Sequence, residues 1–301
     1  MSEDQLVSAL TGRCPACNDG ATRHWGKKFA CELWRCRRCR AIFCVKSSDS
    51  TDSRTLYERY HDAARFSLAP TVEASLERLA SLAERARVTG RWLDFGYGEG
   101  GLLEVAQRRG WACYGVEISR SMLDYGSRKG WTVTSDPRGD PRFVDGTFDV
   151  VTMIEVLEHV ADPVCLLSDA ARWLRPGGLL YVTTPNARGL NCRILGRAWS
   201  VVCPPQHLIL WTPRALRVAL ARAGFSTWRL RAEGFNPAEI LAWLRGGQSA
   251  AEGVNRYQSG LALSAALERS RVRRIAKVVV NRGLSALRLG DTLKVWASRA
   301  A

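Results

Sequence analysis

The sequence predicts an α/β protein, a largely parallel sheet flanked by helices, with a small metal-stabilised ribbon ahead of it. Three observations carry that reading. Two Cys-x-x-Cys pairs, Cys14/Cys17 and Cys36/Cys39, stand eighteen residues apart near the start of the chain. From about residue 54 to residue 184, apolar stretches with helix and strand periodicity alternate. One of those strands runs directly into a glycine-rich bend that opens a helix.

With 301 residues, 46% hydrophobic and 24% charged, the composition is that of a globular chain, and disorder, collagen and coiled coil are excluded as global descriptions. The length holds one large domain, or one plus a small appendage. No run approaches the roughly 18 apolar residues of a membrane span. The start Met1-Ser2-Glu3-Asp4-Gln5 is acidic and polar, unlike a secretory signal. The expectation is a cytoplasmic protein without a transmembrane segment. The net charge of +15 is concentrated at the two ends, with eleven basic against three acidic residues in 240–301 and nine against five in 1–50. Such a surplus attracts polyanions, RNA among them, or lies on solvated faces.

Six of the ten cysteines fall within the first 44 residues. Cys14, Cys17, Cys36 and Cys39 match the spacing of a four-cysteine zinc site, in which each two-residue spacer lets a pair of thiolates converge on one ion. Cys31, Cys44 and His24 are alternative ligands. A ribbon this small cannot fold on apolar burial alone, so the metal supplies its folding energy. Four protein ligands leave no open coordination position, which makes the role structural or recognitional rather than catalytic. The polar stretch Ser47–Ser53 reads as a linker, placing the ribbon in residues 1–50 and a main domain in 54–301.

In the main domain Leu76, Leu79, Leu82, Ala83 and Ala86 recur at helical spacing. A strand at 91–95 follows, then a helix (100–109), a strand (111–116), a helix (119–129) and strands at 131–134 and 148–154. A helix at 162–174 and a strand at 179–184 complete the alternation, and residues 237–289 read as a basic helical insertion. In such folds ligands gather at the carboxyl ends of the strands. The segment Asp94-Phe95-Gly96-Tyr97-Gly98-Glu99-Gly100 has the glycines that let a backbone pass close beneath a ligand. Glu117, with Ile118 beside it, closes the next strand, where a carboxylate accepts both hydroxyls of a ribose. A dinucleotide would want its third glycine one residue later.

At this point the chain resembles the class I S-adenosylmethionine-dependent methyltransferases. Asp94–Gly100 resembles their first motif, Phe148–His159 with Asp162-Pro163 the motif of their fourth strand, and Leu174-Arg175-Pro176-Gly177-Gly178 the turn before the fifth. Thr183-Thr184-Pro185-Asn186, Gln206-His207 and Trp211-Thr212 are similar to the branch that holds ubiquinone-type O-methyltransferases and sugar methyltransferases. Gly290-Asp291-Thr292-Leu293-Lys294-Val295 is similar to the last strand. The resemblance implies a Rossmann-like sheet of seven strands with the last reversed. It places S-adenosylmethionine over Asp94, Phe95, Gly96, Tyr97, Gly98 and Gly100, with Glu117 on the ribose, Ser135-Asp136 nearest the adenine, and Ile118 and Glu155 in the same site. Tyr57 and Tyr60 resemble aromatic residues that close over the cofactor, and Glu155, Glu158 and His159 resemble the divalent-metal trio of some ubiquinone-type enzymes.

Methyl transfer is an in-line displacement, so alignment and water exclusion dominate, and an oxygen or carbon nucleophile also needs a base. His159 and His207 are the candidate catalytic residues, His207 being either base, substrate contact or a histidine bonded to backbone. The expected activity is methylation of an oxygen or carbon of a small metabolite or glycosyl acceptor. One alternative is an RNA methyltransferase, since certain ribosomal-RNA enzymes join a zinc ribbon to this fold. Its target-base motif is missing, however, with Glu155-Val156-Leu157-Glu158 in that place. A further alternative is a cofactor-binding module without catalysis.

Overall fold

A computed structural model describes residues 13–45, 69–86, 90–246 and 271–299. The linker, the boundary near residue 50, Tyr57 and Tyr60 lie outside them. Strands β4 (Arg91–Phe95), β5 (Ala112–Val116), β6 (Thr132–Thr134), β7 (Phe148–Ile154), β8 (Leu174–Pro185), β10 (Phe225–Glu233) and β11 (Thr292–Arg299) form a seven-stranded sheet in the order β10-β11-β8-β7-β4-β5-β6. β4 to β8 are parallel and β11 runs antiparallel to both neighbours, the reversed strand that was expected.

The strands are apolar almost continuously because both faces are covered. Leu93, Val151, Leu180 and Val295 point to one face, under α4 (Pro163–Trp173) and α6 (Pro213–Arg222), the short α5 (Leu190–Leu195) lying between these two in sequence. Their neighbours Trp92, Val150, Leu179 and Trp296 point to the other, under α1 (Pro70–Ala86), α2 (Gly101–Arg108) and α3 (Arg120–Arg128). Local signals fix the helix starts. Asp162 and Thr212 cap α4 and α6 by accepting from Cys165 N–H at 2.9 Å and Ala215 N–H at 3.0 Å, each with proline in the first turn.

Two differences from the sequence reading concern β8. It begins at Leu174, five residues earlier than expected. The Arg175–Gly178 stretch is not a separate turn but a bulge within the strand: Phe148 opposes Leu174 and Val150 opposes Leu179, with Gly177 at φ +70°. The basic insertion divides into α7 (Pro237–Leu244) and α8 (Arg271–Leu287), which brackets residues outside the described set. Among the described residues no helix is long and apolar enough to cross a membrane.

The ribbon strands β1 (Thr22–Lys28), β2 (Cys31–Cys36) and β3 (Ile42–Val45) do not end in themselves. β3 pairs with β9 (Ile209–Leu210) of the main domain, Ile42 opposite Leu210 and Phe43 opposite Ile209, which makes a four-stranded sheet. Side chains reinforce the junction. Thr212 Oγ1 donates to Cys39 O at 2.6 Å, Arg222 to Ala16 O at 3.0 Å, and Lys28 to Trp199 O at 3.1 Å. Arg197 donates to Trp25 O at 2.8 Å and rests on Gly26, where any Cβ would collide with its guanidinium. Ribbon and sheet thus share one core, with Phe43 and the four cysteines packed among the residues of the α4/α6 face.

Candidate functional site

The carboxyl edge of the parallel strands gathers Gly96–Gly100, Glu117, Ile118, Asp136 and Glu155. The bend after β4 folds over the end of β5, with Gly96 N–H donating to Val116 O at 2.8 Å. Gly96 and Gly98 adopt φ of +70° and +52°, a left-handed backbone open to glycine at no steric cost. Gly98 N–H donates to Glu117 Oε2 at 3.0 Å, while Oε1 accepts from Ile118 N–H at 2.7 Å and Ser119 N–H at 3.1 Å. Three backbone donors therefore fix the Glu117 carboxylate, and its remaining lone pairs can accept from a diol. Ile118 is an exposed apolar side chain on the same edge. Asp136 organises the turn after β6 by accepting from Arg138 and Gly139 N–H.

Two predicted residues contribute differently. The Phe95 ring stacks on Trp173 and the Tyr97 ring packs against Gly115 and Gly126, its hydroxyl donating to Met122 O at 2.7 Å. Both side chains hold the bend from beneath, leaving the backbone to face a ligand.

Asp94 is buried in β4, where Oδ1 accepts from Thr152 Oγ1 at 2.6 Å. Burial pushes its carboxyl up to about 7, helped by the nearby Glu117 charge and opposed by the Thr152 hydrogen bond. The native state then holds a proton that the unfolded chain has already released, so stability falls as pH rises from the ordinary carboxylate range to about 7. Asp94→Asn removes that penalty. Thermal denaturation should find the variant a few degrees more stable at pH 8, roughly the shift that 1 kcal/mol gives in a domain of this size, with the gain shrinking below pH 7. A gain that does not vary with pH contradicts the assignment.

Beside this cradle, the end of β7 carries the second half of the site. Glu155 adopts φ +53° and accepts from Thr183 Oγ1 at 2.9 Å. Glu158 is fully buried, accepts from Thr184 Oγ1 at 2.8 Å, and is pushed well above the usual carboxylate range by that burial and by Glu155. His159 and His207, 48 positions apart in sequence, meet edge to face with ring centroids 4.6 Å apart. His159 Nδ1 donates to Gln206 O at 2.9 Å and His207 Nδ1 to Val201 O at 2.7 Å. A carbonyl only accepts, so in both rings Nδ1 carries a hydrogen, and in the neutral ring Nε2 is the acceptor. Burial lowers the pKa of His159, which keeps its ring neutral at neutral pH. Ligand atoms of Glu158, His159 and His207 lie within 4.8 Å of one another, so the expected Glu155-Glu158-His159 trio is redrawn with His207 as a member.

The ribbon brings its four cysteines together as the spacing predicts. Cys14, Cys17, Cys36 and Cys39 are buried, and their sulfurs lie within 4.8 Å of one another. Cys14 and Cys39 approach to 3.4 Å and Cys17 and Cys36 to 3.6 Å, without disulfides. A tetrahedron of thiolates at about 2.3 Å from zinc has edges of about 3.8 Å, so the quartet fits that ion. Cys39 N–H points at Cys36 Sγ from 3.4 Å, the backbone support usual for a metal thiolate.

A family profile described as a methyltransferase domain matches residues 65–230. The chain belongs to that family. Within it, the chain is 30% identical over 211 residues to a ubiquinone biosynthesis O-methyltransferase of Hahella chejuensis, covering 67% of this chain and 80% of that one. A ubiquinone biosynthesis O-methyltransferase of Parvibaculum lavamentivorans is 31% identical over 170 residues, an alignment spanning 49% of this chain and 63% of the relative's length. Among solved structures, an S-adenosylmethionine-dependent methyltransferase from Archaeoglobus fulgidus superposes with a TM-score of 0.52 at 20% identity, covering 82% of this chain and all of that one. That structural likeness establishes the fold. In this methyltransferase-family chain the ribbon strands β1–β3 lie outside the matched residues, while β9, on which they dock, lies within them.

Proposed function

We propose that the chain transfers the methyl group of S-adenosylmethionine to an oxygen, or a carbon, of a small metabolite or glycosyl acceptor. The observation that carries this reading is the edge-to-face pair of His159 and His207 after β7, each ring held by an Nδ1–H hydrogen bond to a backbone carbonyl. The ubiquinone biosynthesis O-methyltransferases among the relatives support the same chemistry. The bend and Glu117 would hold the cofactor, with Asp136 and Ile118 on its adenine side. The sulfonium supplies an activated methyl carbon. His207 or His159 takes the acceptor's hydroxyl proton on Nε2 as the nucleophile forms, and the burial that keeps His159 neutral suits it to that task. The four cysteines would bind one zinc ion with a structural role.

Transfer of a labelled methyl group to fractionated cell extract tests the proposal. Label should enter a low-mass fraction. His207→Gln should lower kcat by about 10²–10⁴, the range of a lost general base, and leave S-adenosylmethionine affinity unchanged. Label in the RNA fraction would support the RNA methyltransferase instead. Cofactor binding with no labelled fraction would support a module without catalysis.

A further inference from the structure

The ribbon and the segment after β8 enclose a feature that methyl transfer does not use. A cavity of about 580 Å³ lies in the seam between them. Four arginines line it, Arg35 and Arg40 from the ribbon and Arg188 and Arg193 from the segment after β8, with Trp25 as a further wall. No carboxylate is among the lining residues, and among the described residues none of the four pairs with an acid. Arg35 is the most constrained. It sits in β2 between Arg23 and Ile42 of the adjacent strands, and its Nε is buried with no acceptor among the described residues. Burial, together with the like charges of Arg40, Arg23 and Arg188, holds its pKa below the usual guanidinium value. Arg40, Arg188 and Arg193 are exposed and Arg35 is half-buried, so their mutual repulsion is screened least at Arg35, where a bound anion would offset it most. The fold nevertheless clamps the two walls together through the β3–β9 pairing and the bonds from Arg197 and Lys28.

We propose that this cavity binds the phosphate or diphosphate group of the methyl acceptor, so that ribbon and methyltransferase domain together select a phosphorylated small molecule. The assignment rests on the methyl-transfer reading above. Guanidinium forks match phosphate oxygens two at a time, and four positive charges call for a multiply charged anion rather than a single carboxylate. The volume is in the range of small-molecule sites. The position also connects it to the chemistry. Thr183 and Thr184, which hold Glu155 and Glu158, lie on the strand end that continues into the lining residues Ala187 and Arg188.

Calorimetry of inorganic pyrophosphate against the zinc-loaded full chain, at constant ionic strength, tests it. Arg188 and Arg193 are exposed, so their replacement leaves the core intact. Saturable binding is expected, weakened about tenfold by Arg193→Gln and about a hundredfold by the Arg188→Gln/Arg193→Gln pair, with S-adenosylmethionine affinity unchanged. Phosphatase treatment of the acceptor fraction should abolish methyl labelling. Labelling that survives phosphatase would make the anion a free effector and overturn the acceptor assignment. Displacement of pyrophosphate by an RNA oligonucleotide at far lower concentration would overturn it in favour of a nucleic-acid backbone. Uptake of S-adenosylmethionine without pyrophosphate binding overturns this inference alone. Pyrophosphate binding without cofactor uptake overturns the methyl-transfer reading, and with it the acceptor assignment.

Discussion

Gly98→Val should weaken S-adenosylmethionine binding by about a hundredfold or more while leaving the unfolding temperature within a few degrees of the parent. Gly98 has φ +52°, where a β-branched residue is strained by about 1–3 kcal/mol. Relief of that strain pulls its N–H away from Glu117 Oε2, 3.0 Å distant, and so removes one of the three donors that fix the carboxylate. Together these terms reach the 2.8 kcal/mol or so of a hundredfold loss. Gly98→Ala, without the branch, should fall between the two. A valine variant that binds the cofactor like the parent shows that the bend does not form the cradle.

Cys36→Ser should have the largest effect on structure. Cys36 is fully buried in the sulfur quartet, and loss of one thiolate should release about one zinc per chain. Structural zinc contributes roughly 10–16 kcal/mol to small ribbons, comparable to the whole stability of a typical domain. The damage should not stop at the ribbon. β9 has Ile42 and Phe43 as its strand partners, and Thr212 is bonded to Cys39 O, so the stretch carrying His207 loses its outer support. Hydrogen exchange should therefore rise around residues 208–212 as well as in the ribbon. Methyl transfer should fall with it, while cofactor uptake, which needs only the bend and Glu117, persists. Retained zinc, or exchange confined to residues 13–45, contradicts this coupling.

Much of this was legible in the sequence for physical reasons. Parallel strands buried on two faces leave runs such as Val150–Met153 that periodicity identifies, and the glycines of the bend are required by left-handed backbone that few other residues adopt. The clustering of the four cysteines follows from spacing, because each pair is local. What stayed hidden depends on contacts between distant segments. Nothing local in Ile209-Leu210 announces a two-residue strand, because its partner lies more than 160 positions away in the ribbon. The meeting of His159 with His207 depends on a loop path that periodicity does not encode. The arginine cavity was masked in the charge count as well. Arg188 and Arg193 belong to the nearly balanced middle of the chain, and Arg35 and Arg40 join them through the fold alone. Phe95 and Tyr97 show the converse. Their places in the motif were legible, but the direction of their rings was set by Trp173 and by Gly115 and Gly126.

The most direct test is isothermal calorimetry of S-adenosylmethionine, and of its demethylated product, against the folded, zinc-loaded chain. Saturable uptake of one molecule per chain is expected for both compounds, competing with each other. Absence of heat and of competition in protein that unfolds cooperatively would contradict it.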